Sequence, residues 1–125
     1  MKSSKFSISN RIKSFNHAFN GLKVLWKEEH NARIHFFFIF LVVGAGLIFK
    51  ITLTEWISLV FAMGLVVIVE IINSSIENLA DFISPSIHLQ IKKIKDLSAA
   101  AVLISAITAL IIGLIIFVPR IMAVI

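Results

Sequence analysis

From Leu97 to Pro119 the chain carries no charged side chain, and the run "LSAAAVLISAITALIIGLIIFVP" matches the roughly 20 residues that cross a bilayer core. Two shorter apolar runs, Phe36–Phe49 and Trp56–Val69, are extended by Ile34 and Ile51 and by Ile71 and Ile72. Alone, each of these would also suit a buried soluble helix. Three such runs in one short chain leave no soluble surface to cover them, so the pattern predicts three transmembrane helices, at about 34–50, 56–82 and 86–119. Before the first span the rhythm changes. Ile12, Phe15, Phe19, Leu22 and Leu25/Trp26 recur every three or four residues, with Lys13, Asn16, Asn20, Lys23 and Lys27 opposite them. That is an amphipathic helix over about 9–33, and its Lys-rich polar face and aromatic apolar face suit the plane of a membrane interface. Residues 1–8 are expected to form a loose tail. "KITLTE" makes the external turn, Ser84-Pro85 reads as an N-cap with proline at the first helical position, and Pro119-Arg120 ends the last span. The expected fold class is all-α integral membrane, a surface helix plus three spans in a single domain over 1–125.

Composition agrees: 58% of the 125 residues are apolar and 15% charged, with a mean hydropathy of +0.98. The absence of cysteine excludes disulfides and thiolate chemistry. No apolar segment follows Lys2 and Lys5 closely enough for a cleaved signal peptide. The net charge of +5 is no nucleic-acid signature, because it sits in residues 1–35 and in the 82–96 connection. With three spans these lie on one side of the membrane, and the positive-inside rule makes that side cytoplasmic. The expected location is thus the bacterial inner (cytoplasmic) membrane.

Three of the seven acidic residues fall in one stretch, "VEIINSSIENLADFISPS". On a helix Glu70, Asn73, Ser74, Glu77 and Asp81 share one face, with Ile72, Ile76, Leu79 and Ala80 on the other. A carboxylate near bilayer depth costs at least ~2.5 kcal/mol and faces a bundle interior or a watery pocket. Three readings fit: solvated helix ends with Glu70 paired for packing, a proton or cation pathway as in a small transporter using Glu70, or a site for a divalent cation and a polyanion. A second acidic pair, Glu28 and Glu29, sits where the surface helix meets the first span, with Arg33 at i+4 as the plain ion-pair partner of Glu29. His30 and His35 face different directions and make a zinc site improbable. Lys92, Lys93 and Lys95 precede the third span, where Ser98 and Ala99–Ala101 permit close helix approach. Topology puts Glu29, Glu77 and Lys95 at one level of one membrane face, where they could hold Mg²⁺ and nucleotide phosphates. No P-loop or GxGxxG accompanies them.

"EIINSSIENLAD" followed by "KDLSAAAVLISA", together with "FNHAFNGLKVLWKEEHNARIH" and the closing "IIGLIIFVPRI", resembles the small prokaryotic diacylglycerol kinase family, which includes undecaprenol kinases. The resemblance spans nearly the whole chain. It implies a homotrimer with sites between subunits at the cytoplasmic surface, and phosphoryl transfer from MgATP to a lipid hydroxyl, with no nucleic acid as partner. By the same resemblance Glu70 is the general base and Asn73 orients the base or the phosphate. Glu29 and Glu77 bind Mg²⁺ and the nucleotide with it. Lys95 and Asp96 contact ATP, with Arg11, His17, Ser86 and His88 as further nucleotide contacts. Glu70, Ala99, Trp26, Arg33 and His35 line the lipid site. His17 replaces the tyrosine of some members. His35 replaces a carboxylate of the diacylglycerol type, and with "NARI" before it resembles the undecaprenol-kinase branch.

Overall fold

A computed structural model describes residues 5–86 and 88–125; the expected tail at 1–8 lies partly outside them. Four helices follow one another: α1 (Ile8–Glu28), α2 (His30–Phe49), α3 (Leu53–Ile83) and α4 (Leu89–Val124). The last three are long and apolar enough to cross a membrane. At 1.5 Å per residue α3 and α4 are about 46 and about 54 Å long, longer than a hydrocarbon core, so one end of each must reach past it.

Three boundaries differ from the expected ones. The helix expected over 9–33 is interrupted at Glu29, whose backbone is extended (φ −109°, ψ 107°). Ser84 does not open the last helix. Its N–H bonds to the Ala80 carbonyl and closes α3, while its hydroxyl donates to the Ser86 carbonyl (3.1 Å). His88 is the N-cap of α4 instead, its Nδ1 accepting from the Gln90 N–H at 3.1 Å. Pro119 lies inside α4, which continues to Val124. Arg120 beyond it is anchored to Glu55 in an ion pair and to the Phe49 carbonyl at 3.5 Å, which holds the last turn in place after the proline removes one backbone donor.

The turn between α2 and α3 is tightly specified. Lys50 takes the left-handed conformation (φ 50°), Ile51 is buried behind it, and Thr52 and Glu55 form a reciprocal capping box at the start of α3. A small core of Ile51, Leu59 and Ile116 forms here, with Trp56 and Phe117 packed on it. Trp56 fits because Gly46 has no side chain: a Cβ there would stand 2.7 Å from the indole ring.

α3 is the central helix, packed along α4 and against α2. Its sides are inverted relative to a soluble helix. Glu70, Asn73 and Ser74 are buried, while Ile72 and Leu79 are exposed. Ala80, expected among the outward apolar residues, is buried with the polar set. Much of the remaining apolar surface faces outward, Phe40, Ile48 and Phe61 among it, as a protein solvated by lipid requires.

Candidate functional site

The polar residues of α3 meet three other elements at the end of the bundle where α1 joins α2. Glu70 stands 17 residues into α3, about 26 Å along its axis, which places it close to one edge of a hydrocarbon layer roughly 30 Å thick. It is the most deeply buried large side chain among the described residues. His35 of α2 brings Nε2 to 3.1 Å from Glu70 Oε1. No N–H or O–H is aligned on that oxygen among the described residues, so Oε1 is a buried acceptor without a hydrogen-bond donor. Buried polar atoms in this state are rare and call for a chemical explanation.

One turn further, Asn73 Oδ1 accepts from the Ser98 hydroxyl of α4 at 2.6 Å, inside the protein. This bond fixes the amide's orientation and ties α3 to α4 beside Glu70. Ser98 had drawn notice only as a small residue, and its hydroxyl within "KDLSAAA" was the available signal.

Glu29 ends α1 and starts α2 without using its side chain as a cap, which frees the carboxylate to face α3. Burial, then the facing charge of Glu77, holds its carboxyl above the ordinary value, with Glu70 and Glu28 adding to the rise and the Ser74 hydroxyl opposing it. Glu29, Glu70 and Glu77 are therefore electrostatic neighbours, brought together from two elements. Asn78 bridges the same junction, donating to the Ser74 carbonyl (2.8 Å) and to Glu28 Oε2 (3.4 Å).

The cations are arranged differently from the expectation. Arg33 forms no ion pair with Glu29. Its guanidinium reaches back to the Lys27 carbonyl at 3.5 Å, and its buried Nε has no partner among the described residues. Lys95 is paired with Asp81, and Lys92 with Asp96 at 2.6 Å. Asp81 is thus more than a solvated helix end. Arg11 lies over the Phe6 ring, 5.4 Å from its centroid, and is about 26 Å along α1 from Glu28; His17 is about 17 Å away on the same measure. One chain does not bring these two to the carboxylates. Ser86 and His88 lie in the exposed α3–α4 connection. Trp26 packs on Phe36 with ring centroids 5.9 Å apart, and Ala99 is exposed beside Ser98.

An apolar groove of about 390 Å³ runs between α2, α3 and α4, lined by Phe38, Val42, Leu59, Met63 and Leu110, with His35 as the polar member of its wall. His35 therefore belongs both to the groove and to the carboxylate cluster. No three His or acidic side chains among the described residues gather as a ready-made metal cage. Glu29 and Glu77 supply hard carboxylate oxygens of the kind that suits Mg²⁺. That ion is typically held by one or two carboxylates and completes its shell with water and phosphate.

A helical bundle with a carboxylate cluster near the edge of its spans is the framework of a membrane enzyme acting at the surface. Comparison with known proteins gives the class. The sequence profile of the family described as prokaryotic diacylglycerol kinase matches residues 16–117. The undecaprenol kinase of Bacillus subtilis (strain 168) is 30% identical over 119 residues, covering 95% of this chain and 97% of that protein. The diacylglycerol kinase of Helicobacter pylori (strain ATCC 700392 / 26695) is 38% identical over 83% of this chain and 87% of its own length. That of Escherichia coli (strain K12) is 33% identical over 80% and 82%. The chain belongs to the prokaryotic diacylglycerol kinase family and is a lipid kinase.

Proposed function

We propose that the chain transfers the γ-phosphoryl group of MgATP to the hydroxyl of a membrane lipid at the cytoplasmic face of the inner membrane. The observation that carries this reading is Glu70 Oε1, a buried acceptor with no donor of its own, at the depth where a lipid alcohol presents its hydroxyl. The hydroxyl donates to that oxygen, and Glu70 takes its proton as the oxygen attacks phosphorus. The apolar groove lined by His35 offers the lipid chain a place, with Trp26, Arg33 and Ala99 as further lipid contacts outside it.

Phosphoryl transfer depends on positioning and charge neutralisation more than on covalent help. Glu29 and Glu77 would hold Mg²⁺, which when bound offsets phosphate charge and orients the nucleotide. Asn73, fixed by Ser98, orients the base or the transferring group. Lys95 and Asp96 contact ATP, and Lys95 exchanges Asp81 for phosphate on binding. Arg11, His17, Ser86 and His88 reach the nucleotide in this reading only from an adjacent subunit, which fits a homotrimer with shared sites. α1 then lies along the membrane surface, its basic side chains on anionic headgroups, and residues 1–125 act as one domain. The relatives include both an undecaprenol kinase and diacylglycerol kinases. His35 in place of a carboxylate favours undecaprenol.

The test is ³²P transfer from γ-labelled MgATP by the purified protein, with diacylglycerol and undecaprenol in parallel. Labelled lipid is expected with the native chain and at least 10³-fold less with Glu70→Gln, whose amide cannot take a proton. A Glu70→Gln protein as active as the parent would remove Glu70 as the base. The faster acceptor identifies the lipid.

A further inference from the structure

If Glu70 takes a proton in each turnover, that proton must leave before the next, and the carboxylate has almost no contact with water. Its side chain is 2% exposed, whereas that of His35 is 24% exposed. The two meet at the oxygen that matters. His35 Nε2 is 3.1 Å from Oε1, the same atom that lacks a hydrogen-bond donor and is the acceptor for the lipid's proton. Resting on the kinase reading above, we propose that His35 is the proton exit of the site, carrying the proton from Glu70 to water between turnovers.

The steps balance without a further reactant. The acceptor O–H bond breaks, its oxygen forms the new P–O bond, and its proton goes to Glu70 Oε1. At rest the lone pair of His35 Nε2, which shares the in-plane axis an N–H would take, is off Oε1. A turn of the imidazole points it at the protonated oxygen, and the proton passes to it, which restores the carboxylate and leaves an imidazolium. Nδ1–H releases a proton to water, and a tautomeric shift returns the ring to its starting form. Imidazole is suited to this because both nitrogens can carry the proton. The other groups facing Glu70 are poorly placed to do it. Glu29, at the α1–α2 junction, and Glu77, on the same helix as Glu70, are committed to the metal in this reading. Across the interface α4 contributes Ser98, bonded to Asn73, and Lys95, engaged by Asp81 and next to Glu77. Arg33 does not give up its proton at any working pH.

His35 relays the proton through Glu70, so its signature is a loss in kcat with the KM for MgATP preserved; the KM for lipid is not diagnostic, because the ring also lines the apolar groove. The test measures lipid phosphorylation by the full-length protein carrying His35→Ala or His35→Gln. In both, kcat is expected to fall 10- to 100-fold, with the KM for MgATP within threefold of the parent. Glutamine can hold a hydrogen bond but cannot relay a proton, so it separates a relay from simple orientation. Added imidazole is expected to restore His35→Ala at least fivefold, more strongly as pH rises through 7 and the neutral base accumulates. Should the alanine variant fail to fold, His35→Gln decides by itself. A glutamine variant with parental kcat, or a well-folded alanine variant that imidazole does not rescue, would overturn the proposal. Absence of transfer by the native chain to either lipid would instead remove the kinase reading, and this role with it.

Discussion

At the scale of single residues, the site is defined by carboxylates placed where ionisation is unfavourable. Glu29 is the clearest case, because burial and Glu77 hold its carboxyl above the ordinary 4.5. The sign of its effect on stability follows by linkage. Below about pH 4.5 the group is protonated in folded and unfolded chains alike, and its neutral form is tolerated in the fold. As pH rises from there through the higher folded value, the unfolded chain ionises first and stability is lost. Glu29→Gln is therefore expected to raise the thermal midpoint in Mg²⁺-free detergent above pH 5, and to leave it unchanged below pH 4. It should also abolish the rise in midpoint that Mg²⁺ and nucleotide produce in the parent. An equal metal-induced rise in the variant would place the metal elsewhere.

Among elements, the two ends of the α2–α3–α4 bundle have different work. The end away from the carboxylates is closed by Arg120, which meets Glu55 and the Phe49 carbonyl and so ties α4 to the start of α3 and the end of α2. Glu55 completes the capping box at the same time. Arg120→Met is expected to lower the midpoint of detergent unfolding, because Glu55 and the Phe49 carbonyl lose the cation that ties the three helices together. Transfer activity per folded molecule should change less than twofold, since the site lies at the other end. A large loss of kcat in the folded variant would contradict this separation. Much of the arrangement was legible beforehand. The three spans, the acidic face of α3 and the "KITLTE" turn followed from periodicity and from the cost of charge in lipid. Helix ends were less legible: Ser84-Pro85 has the chemistry of an N-cap, yet Ser84 closes α3 and turns its hydroxyl to the Ser86 carbonyl instead of accepting from a helix N–H, and only the folded backbone shows this.

For the whole molecule, the question is which side of the membrane carries the site. The chain contains no cysteine, so single cysteines can be introduced directly. In intact cells Lys50→Cys is expected to react with a membrane-impermeant maleimide, and Lys92→Cys only after permeabilisation. The reverse pattern would put the carboxylates outside and exclude ATP as the donor. The broad outward apolar surface and the distance of Arg11 and His17 from the cluster both fit assembly from several chains. Chemical cross-linking in native membranes is expected to stop at a trimer, and a chain that remains monomeric while active would refute shared sites.

The sequence by itself determined that this chain carries three segments apolar enough to cross a membrane, and that α3 carries an acidic face needing an explanation. These depend on local quantities, the transfer cost of each side chain and the 3.6-residue period, which are readable along a line. Only the tertiary structure decided which partners those residues take. His35 and Glu70 are 35 positions apart, and Asn73 and Ser98 are 25. Lys95 meets Asp81, while Arg33 turns away from the neighbouring Glu29. Such pairings depend on the angles and depths at which helices pack, and these reflect the sum of many weak contacts that no single stretch of sequence contains.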